Sequence, residues 1–109
     1  MSALNVFTPT GLLGGKNSNP PLLQDATESI NQGAPAILID FSEVTFVDSM
    51  GVGILVRILK RAEKAGCRLF LCSMNASARM IMDMIGVDQV FEILPNRIAV
   101  EQALAQEQT

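Results

Sequence analysis

Two continuous apolar runs, Ala36-Ile37-Leu38-Ile39 and Leu69-Phe70-Leu71-Cys72, bracket a helical pattern and constrain the fold more than any other feature of the chain. Each run is apolar at odd and even positions alike, so both faces of the corresponding strand must be covered, the mark of a strand buried between layers. Between them, Val52, Leu55, Val56, Leu59 and Ala62 recur at helical spacing from about Met50 to Ala65, and Gly66 supplies a stop. Strand, helix, strand at this spacing is a βαβ unit. It predicts two parallel strands joined by a right-handed crossover, with Ile37 and Leu71 on neighbouring strands.

The flanking sequence extends this unit. Leu4–Thr8 alternates and stops at Pro9, which predicts a short strand and a turn through Thr10-Gly11; Leu12-Leu13 predicts another, ended by Gly14-Gly15. Ser18-Asn19 offers a cap for a helix that Pro20-Pro21 can open, with Leu22, Leu23, Ala26 and Ile30 on one side and Gly33 at its end. Asn75 can cap a further helix with Ala78, Ile81, Met82 and Ile85 facing the core and Gly86 closing it. A short strand near Val90–Ile93 and a helix over Arg97–Ala105 complete a single α/β domain of residues 1–109, core about 6–104. Its central mixed sheet should have about four or five strands, with helices mainly on one face.

Composition narrows the function. A chain of 109 residues with 49% hydrophobic and 17% charged residues can bury one core and has no room for a second of useful size. Net charge is −3, with no Trp or Tyr, where a nucleic-acid surface needs a basic excess and stacking residues. No apolar run reaches a membrane span and no leader is evident, so a cytoplasmic protein is expected. Cys67 and Cys72 fall on opposite sides of one strand and are expected to be reduced packing thiols.

Catalytic and cofactor motifs fail in turn. There is no histidine to activate a serine, and Val47 stands where a nucleophile elbow needs glycine. The segment Thr10–Asn17 lacks the first glycine and final hydroxyl of a phosphate loop, and Gly51-Val52-Gly53 lacks the third glycine of a dinucleotide fingerprint. No metal-ligand spacing is present. A binding protein without cofactor or metal is expected, not an enzyme.

Attention therefore falls on Asp48-Ser49, at the junction between the apolar segment before it and the helix after it. Either residue can cap the helix. Capping needs one side chain, yet two are present, followed by Gly51 and Gly53, each of which disfavours a helix by roughly 1 kcal/mol relative to Ala. The glycines read as clearance through which another macromolecule could approach the Ser49 hydroxyl. A helix N-terminus also tolerates an added phosphate, through its free N–H groups and dipole.

The segment Phe41-Ser42-Glu43-Val44-Thr45-Phe46-Val47-Asp48-Ser49-Met50-Gly51-Val52-Gly53, with Gly66–Cys72 and Ile85–Phe91, resembles the STAS domain. It is similar in particular to the stand-alone bacterial anti-sigma factor antagonists, from about Val6 to Leu104. The resemblance implies that Ser49 is phosphorylated by a histidine-kinase-fold serine kinase that is also an anti-sigma factor, and that a PP2C-type phosphatase reverses this. The unphosphorylated form would bind the kinase and release the sigma factor. An interaction module of a non-sigma signalling or scaffold complex is the alternative. Met50 stands where the family usually has a small residue, and Gly11-Leu12-Leu13 lacks an acidic residue common there.

Arg57, Lys60, Arg61 and Lys64 continue from Ser49 and Gly53 along one side of the helix; Arg57, nearest the serine, is the candidate contact. The partner-binding set is therefore Asp48, Ser49, Met50, Gly51, Gly53 and Arg57, on a monomer or weak homodimer. Met80 and Met84 are read first as core residues beside Met82, and second as an adaptable contact.

Overall fold

The computed structural model describes residues 4–15 and 20–107, the side chains of Pro20 and Pro21 excepted. Ten elements follow in order: β1 (Leu4–Phe7), β2 (Gly11–Leu13), α1 (Pro20–Asn31), β3 (Ala36–Asp40), β4 (Val44–Val47), α2 (Ser49–Ala65), β5 (Arg68–Cys72), α3 (Ala76–Ile85), β6 (Glu92–Leu94) and α4 (Arg97–Glu107). The cap expected at Ser18-Asn19 lies outside the described residues.

The central sheet runs β1-β3-β5-β6, and β2 pairs with β4 in a separate ribbon. Every pairing is parallel, where a mixed sheet was expected. The reason is connectivity: α2 lies between β3 and β5, and α3 between β5 and β6, so each crossover brings the chain back to the end of the sheet where the previous strand began. Ile37 and Leu71 lie on adjacent parallel strands, with Ile37 beside Leu69 and Ile39 beside Leu71.

The two faces of β3 and β5 are both buried, as their continuous apolar runs require. On one face Ile37, Ile39, Leu69 and Leu71 pack with Leu22, Ala26 and Ile30 of α1, Leu55, Ile58 and Ala62 of α2, and Ala78 and Met82 of α3. On the other, Ala36, Leu38, Phe70 and Cys72 meet Val100 of α4. Three helices thus cover one face and one covers the other. Cys67 belongs to the first cluster and Cys72 to the second, both as buried free thiols. Burial is the main cause that raises both thiol pKa values, which keeps them protonated.

The strand β4 was not foreseen as a separate element. After β3 the chain turns sharply: the backbone N–H of Ser42 donates to Asp40 Oδ1 at 2.9 Å, and that of Val44 to the Phe41 carbonyl at 3.0 Å. This turn carries β4 out of the main sheet and against β2, with Leu12 beside Phe46 and Leu13 beside Val47. The last strand begins at Glu92, two residues later than its expected start. Ile85, expected in the core, is half-exposed, because the buried stripe of α3 runs through Ala78 and Met82. Met80 and Met84 are displaced from that stripe by two residues, about 200° of helix, and both are exposed.

Candidate functional site

The site forms where the ribbon delivers the chain into α2. Asp48 is extended (φ −104°, ψ −177°), and its Oδ1 accepts from the Gly51 N–H at 2.9 Å, so it is the N-cap. Its own N–H donates to the Leu13 carbonyl at 3.1 Å, and its carbonyl accepts from Val52 at 3.0 Å. One residue thereby joins β2, the end of β4 and the first turn of α2.

Two glycines make this junction possible. A Cβ on Gly14, which has φ +130°, would stand 1.6 Å from Asp48 Oδ1, so the capping carboxylate lies directly against that backbone. A Cβ on Gly51 would stand 2.1 Å from the Leu13 carbonyl oxygen. Gly51 therefore does not provide the clearance expected for it: it is buried, and its missing side chain lets α2 close onto β2. Gly53 is the opposite case, exposed and with nothing within 4 Å of where its Cβ would be.

Ser49 occupies the first helical position. It is exposed, and its hydroxyl makes no hydrogen bond among the described residues. Asp48 is half-buried, and its Oδ1 is engaged by the Gly51 N–H and not by the Ser49 hydroxyl. The adjacent residues thus divide two tasks: Asp48 fixes the turn, and Ser49 stands outside it.

Exposed apolar side chains lie on the ribbon and at the start of α2, and exposed basic ones lie farther along α2. Leu12 and Phe46, register partners on the ribbon, are 44% and 51% exposed, and Met50 is 59% exposed. Leu12 and Phe46 were absent from the sequence-derived site. No alternation in the letters marks them: β4 is buried in-out-out-in, and its inward Val44 and Val47 leave Phe46 outside. On α2, Gly53 and Arg57 follow Ser49 at successive turns, Arg57 about 12 Å away along the axis. Arg57, Lys60, Arg61 and Lys64 are exposed, and these four are half of the chain's eight Lys and Arg residues. Arg61 Nη1 donates to Thr27 Oγ1 at 2.7 Å, which ties it to α1, whereas Arg57 has no ion pair among the described residues.

No group of acidic, Cys or His side chains among the described residues could hold a metal ion, and no helix there is long and apolar enough to cross a membrane. The geometry is that of an exposed hydroxyl at a helix end capped by its neighbour.

A Thermotoga neapolitana protein provisionally named an anti-sigma factor antagonist is 30% identical over 66 residues, 61% of this chain and 58% of that protein. The chain therefore aligns with less than two thirds of that relative's length. Among solved structures, an anti-sigma factor antagonist from Mycobacterium paratuberculosis superposes with a TM-score of 0.82 at 22% identity, over 94% of this chain and 86% of that one. The anti-sigma factor antagonist SpoIIAA in its unphosphorylated form gives 0.77 at 20% identity, over 96% and 91%. At such identities these likenesses speak for the fold alone. A family model of the STAS domain matches residues 8–101, which is most of the chain, and the chain belongs to the STAS domain family.

Proposed function

We propose that this chain is an anti-sigma factor antagonist switched by phosphorylation of Ser49. The observation that carries the reading is the exposed Ser49 hydroxyl, free of hydrogen bonds among the described residues, at the N-terminus of a helix whose cap is a different residue. The name of the Thermotoga neapolitana protein supports the antagonist part of this reading.

In the unphosphorylated state, the apolar rim of Leu12, Phe46 and Met50 with the basic stripe from Arg57 meets a histidine-kinase-fold serine kinase that is also an anti-sigma factor, and the bound sigma factor leaves. The kinase then moves the γ-phosphoryl group of ATP to Ser49 Oγ. The bond from the γ-phosphorus to the β–γ bridging oxygen breaks, ADP departs, and the hydroxyl proton passes to a base on the kinase. The new dianion sits at a helix N-terminus, where the dipole and free N–H groups tolerate it. Against a partner surface shaped for a neutral hydroxyl and an apolar rim, the same charge is repelled and poorly solvated. The complex separates, and a PP2C-type phosphatase restores the hydroxyl.

The test is incubation of the chain with ATP and bacterial serine kinases of this fold, followed by phosphosite mapping. One phosphate per chain on Ser49, with release from the kinase, is expected. Stoichiometric modification of Ser73 or Ser77 instead, or a phosphorylated chain that stays bound, refutes the switch and leaves a passive STAS interaction module.

A further inference from the structure

The face of α3 turned away from the core carries two apolar side chains that the proposed switch does not use. Ala78 and Met82 are buried beneath the helix, while Met80 and Met84, one turn apart on its outer side, are 62% and 74% exposed. Adjacent methionines on an exposed helix face form an adaptable apolar contact. One flank of this stripe is charged. Arg79 and Asp83 also lie one turn apart, and neither makes an ion pair or side-chain hydrogen bond among the described residues. A basic residue four positions before an acidic one is the weaker orientation for pairing within a helix.

These positions complement themselves under a two-fold axis perpendicular to α3. Such an axis sets two copies of the helix antiparallel and keeps the charged flank of one beside the charged flank of the other. With the two-fold axis level with position 81 along the helix, Arg79 and Asp83 are each two residues, about 3 Å of axis, from it. Arg79 of one copy then falls opposite Asp83 of the second, and the reverse, while Met80 and Met84 form the seam alongside. A parallel pairing sets the charged flank against the uncharged one and gains neither pair. A shallow depression of about 380 Å³ lined by Arg79, Met80, Asp83 and Asp88 adjoins this flank. It holds two carboxylates and one guanidinium, and so favours a second, incoming guanidinium.

We infer that α3 is the contact face for a second copy of this chain, an antiparallel helix pair with a methionine seam and two reciprocal Arg79–Asp83 ion pairs. One helix face is small beside a standard stable interface, so the dimer is weak and concentration-dependent. The contact does not involve Ser49.

Sedimentation equilibrium of the full chain at low salt, from about 10 µM to about 2 mM, reads the association directly. The weight-average mass is expected to rise from 11.7 kDa towards twice that value. Arg79→Asp makes the flank acidic at both positions and Asp83→Arg makes it basic at both, so each variant alone should associate at least about tenfold more weakly. An equimolar mixture of the two restores both pairs and should recover the association. Circular dichroism of each variant checks that the fold is intact, as expected for exposed positions. A mass that stays at one chain throughout, a dimer that survives both reversals, or a mixture no tighter than its components overturns the inference.

Discussion

Gly51 and Gly53 are separated by one residue in the same helix, and replacing each with Ala should change stability in opposite directions. In an exposed helix interior the exchange stabilises by roughly 0.8–1 kcal/mol, through lower chain entropy in the unfolded state and better helix propensity. Gly53 meets that description, since an added Cβ finds nothing within 4 Å. Gly51 does not. Its added Cβ would lie 2.1 Å from the Leu13 carbonyl oxygen, 2.8 Å from its carbon and 3.1 Å from Val47 Cγ1. The nearest of these is backbone in a paired strand, so relief requires about 1 Å of separation between α2 and β2, at the cost of the Asp48 cap or its bond to Leu13. Overpacking of this kind costs about 1–3 kcal/mol and loss of an N-cap about 1 kcal/mol, which together outweigh the gain in propensity.

Thermal unfolding followed by circular dichroism resolves the two cases. For a domain of this size 1 kcal/mol corresponds to roughly 4 °C in Tm, so Gly53→Ala should melt about 3–4 °C higher and Gly51→Ala at least about 4 °C lower. If Gly51→Ala melts higher than the unmodified chain, the close approach of α2 to β2 is wrong, and with it the account of how Asp48 is held. Gly53→Ala also carries a second readout: weaker kinase binding in a more stable protein would assign that glycine to clearance for the partner.

Three further outcomes are expected. Ser49→Ala should abolish phosphorylation and retain kinase binding, whereas Ser49→Asp should stay folded and bind at least about tenfold more weakly, roughly 1.4 kcal/mol, as measured by calorimetry; equal affinity for Ser49→Asp refutes the switch. Arg57→Glu should weaken the same complex while altering stability by under about 0.5 kcal/mol in urea unfolding, because the side chain is exposed and has no ion pair among the described residues. The Glu107 carboxyl is held below the ordinary carboxylate range by its hydrogen bond from Arg68, so its contact is complete above the ordinary value and lost as pH falls through the lowered one; carbon-detected NMR titration should show that midpoint move up in Arg68→Ala.

What the sequence could disclose follows from which interactions have a period. The runs at 36–39 and 69–72 announced β3 and β5 because a strand covered on both faces must be apolar at every position, and Asn75 and Gly86 bounded α3 because caps are local. The ribbon of β2 and β4 has no comparable signature. It is three and four residues long, its register shifts between Gly11 and Leu12, and it exists because a turn at Asp40–Ser42 redirects the chain. Gly51 was read as clearance for the same reason: a close approach between a helix and a strand about forty positions earlier leaves no mark in the neighbouring letters. Met80 and Met84 could have been assigned from the helical wheel alone, since a stripe defined by Ala78 and Met82 excludes both.

The pairing of Asp48 with Ser49 then has a physical division of labour that answers to both residues. An acceptor serine that also capped its helix would have its capping hydrogen bond changed when modified, and the fold would answer the phosphate along with the partner. Here the cap is Asp48, locked by Gly14 on one side and by the Gly51 N–H on the other, so the first turn of α2 keeps its support whatever is attached to Ser49. Under the proposed function this separation directs the added charge to the interface and away from the folding equilibrium. Replacing Asp48 by Asn, which keeps the capping oxygen but removes the charge, isolates the point: the chain should lose little stability, and phosphorylated Ser49 should still dissociate the complex, since the repulsion arises from the partner surface and not from the neighbouring carboxylate. Kinase binding measured for Asp48→Asn before and after phosphorylation decides it, and a complex that survives phosphorylation only in this variant would show that Asp48 supplies the repulsion.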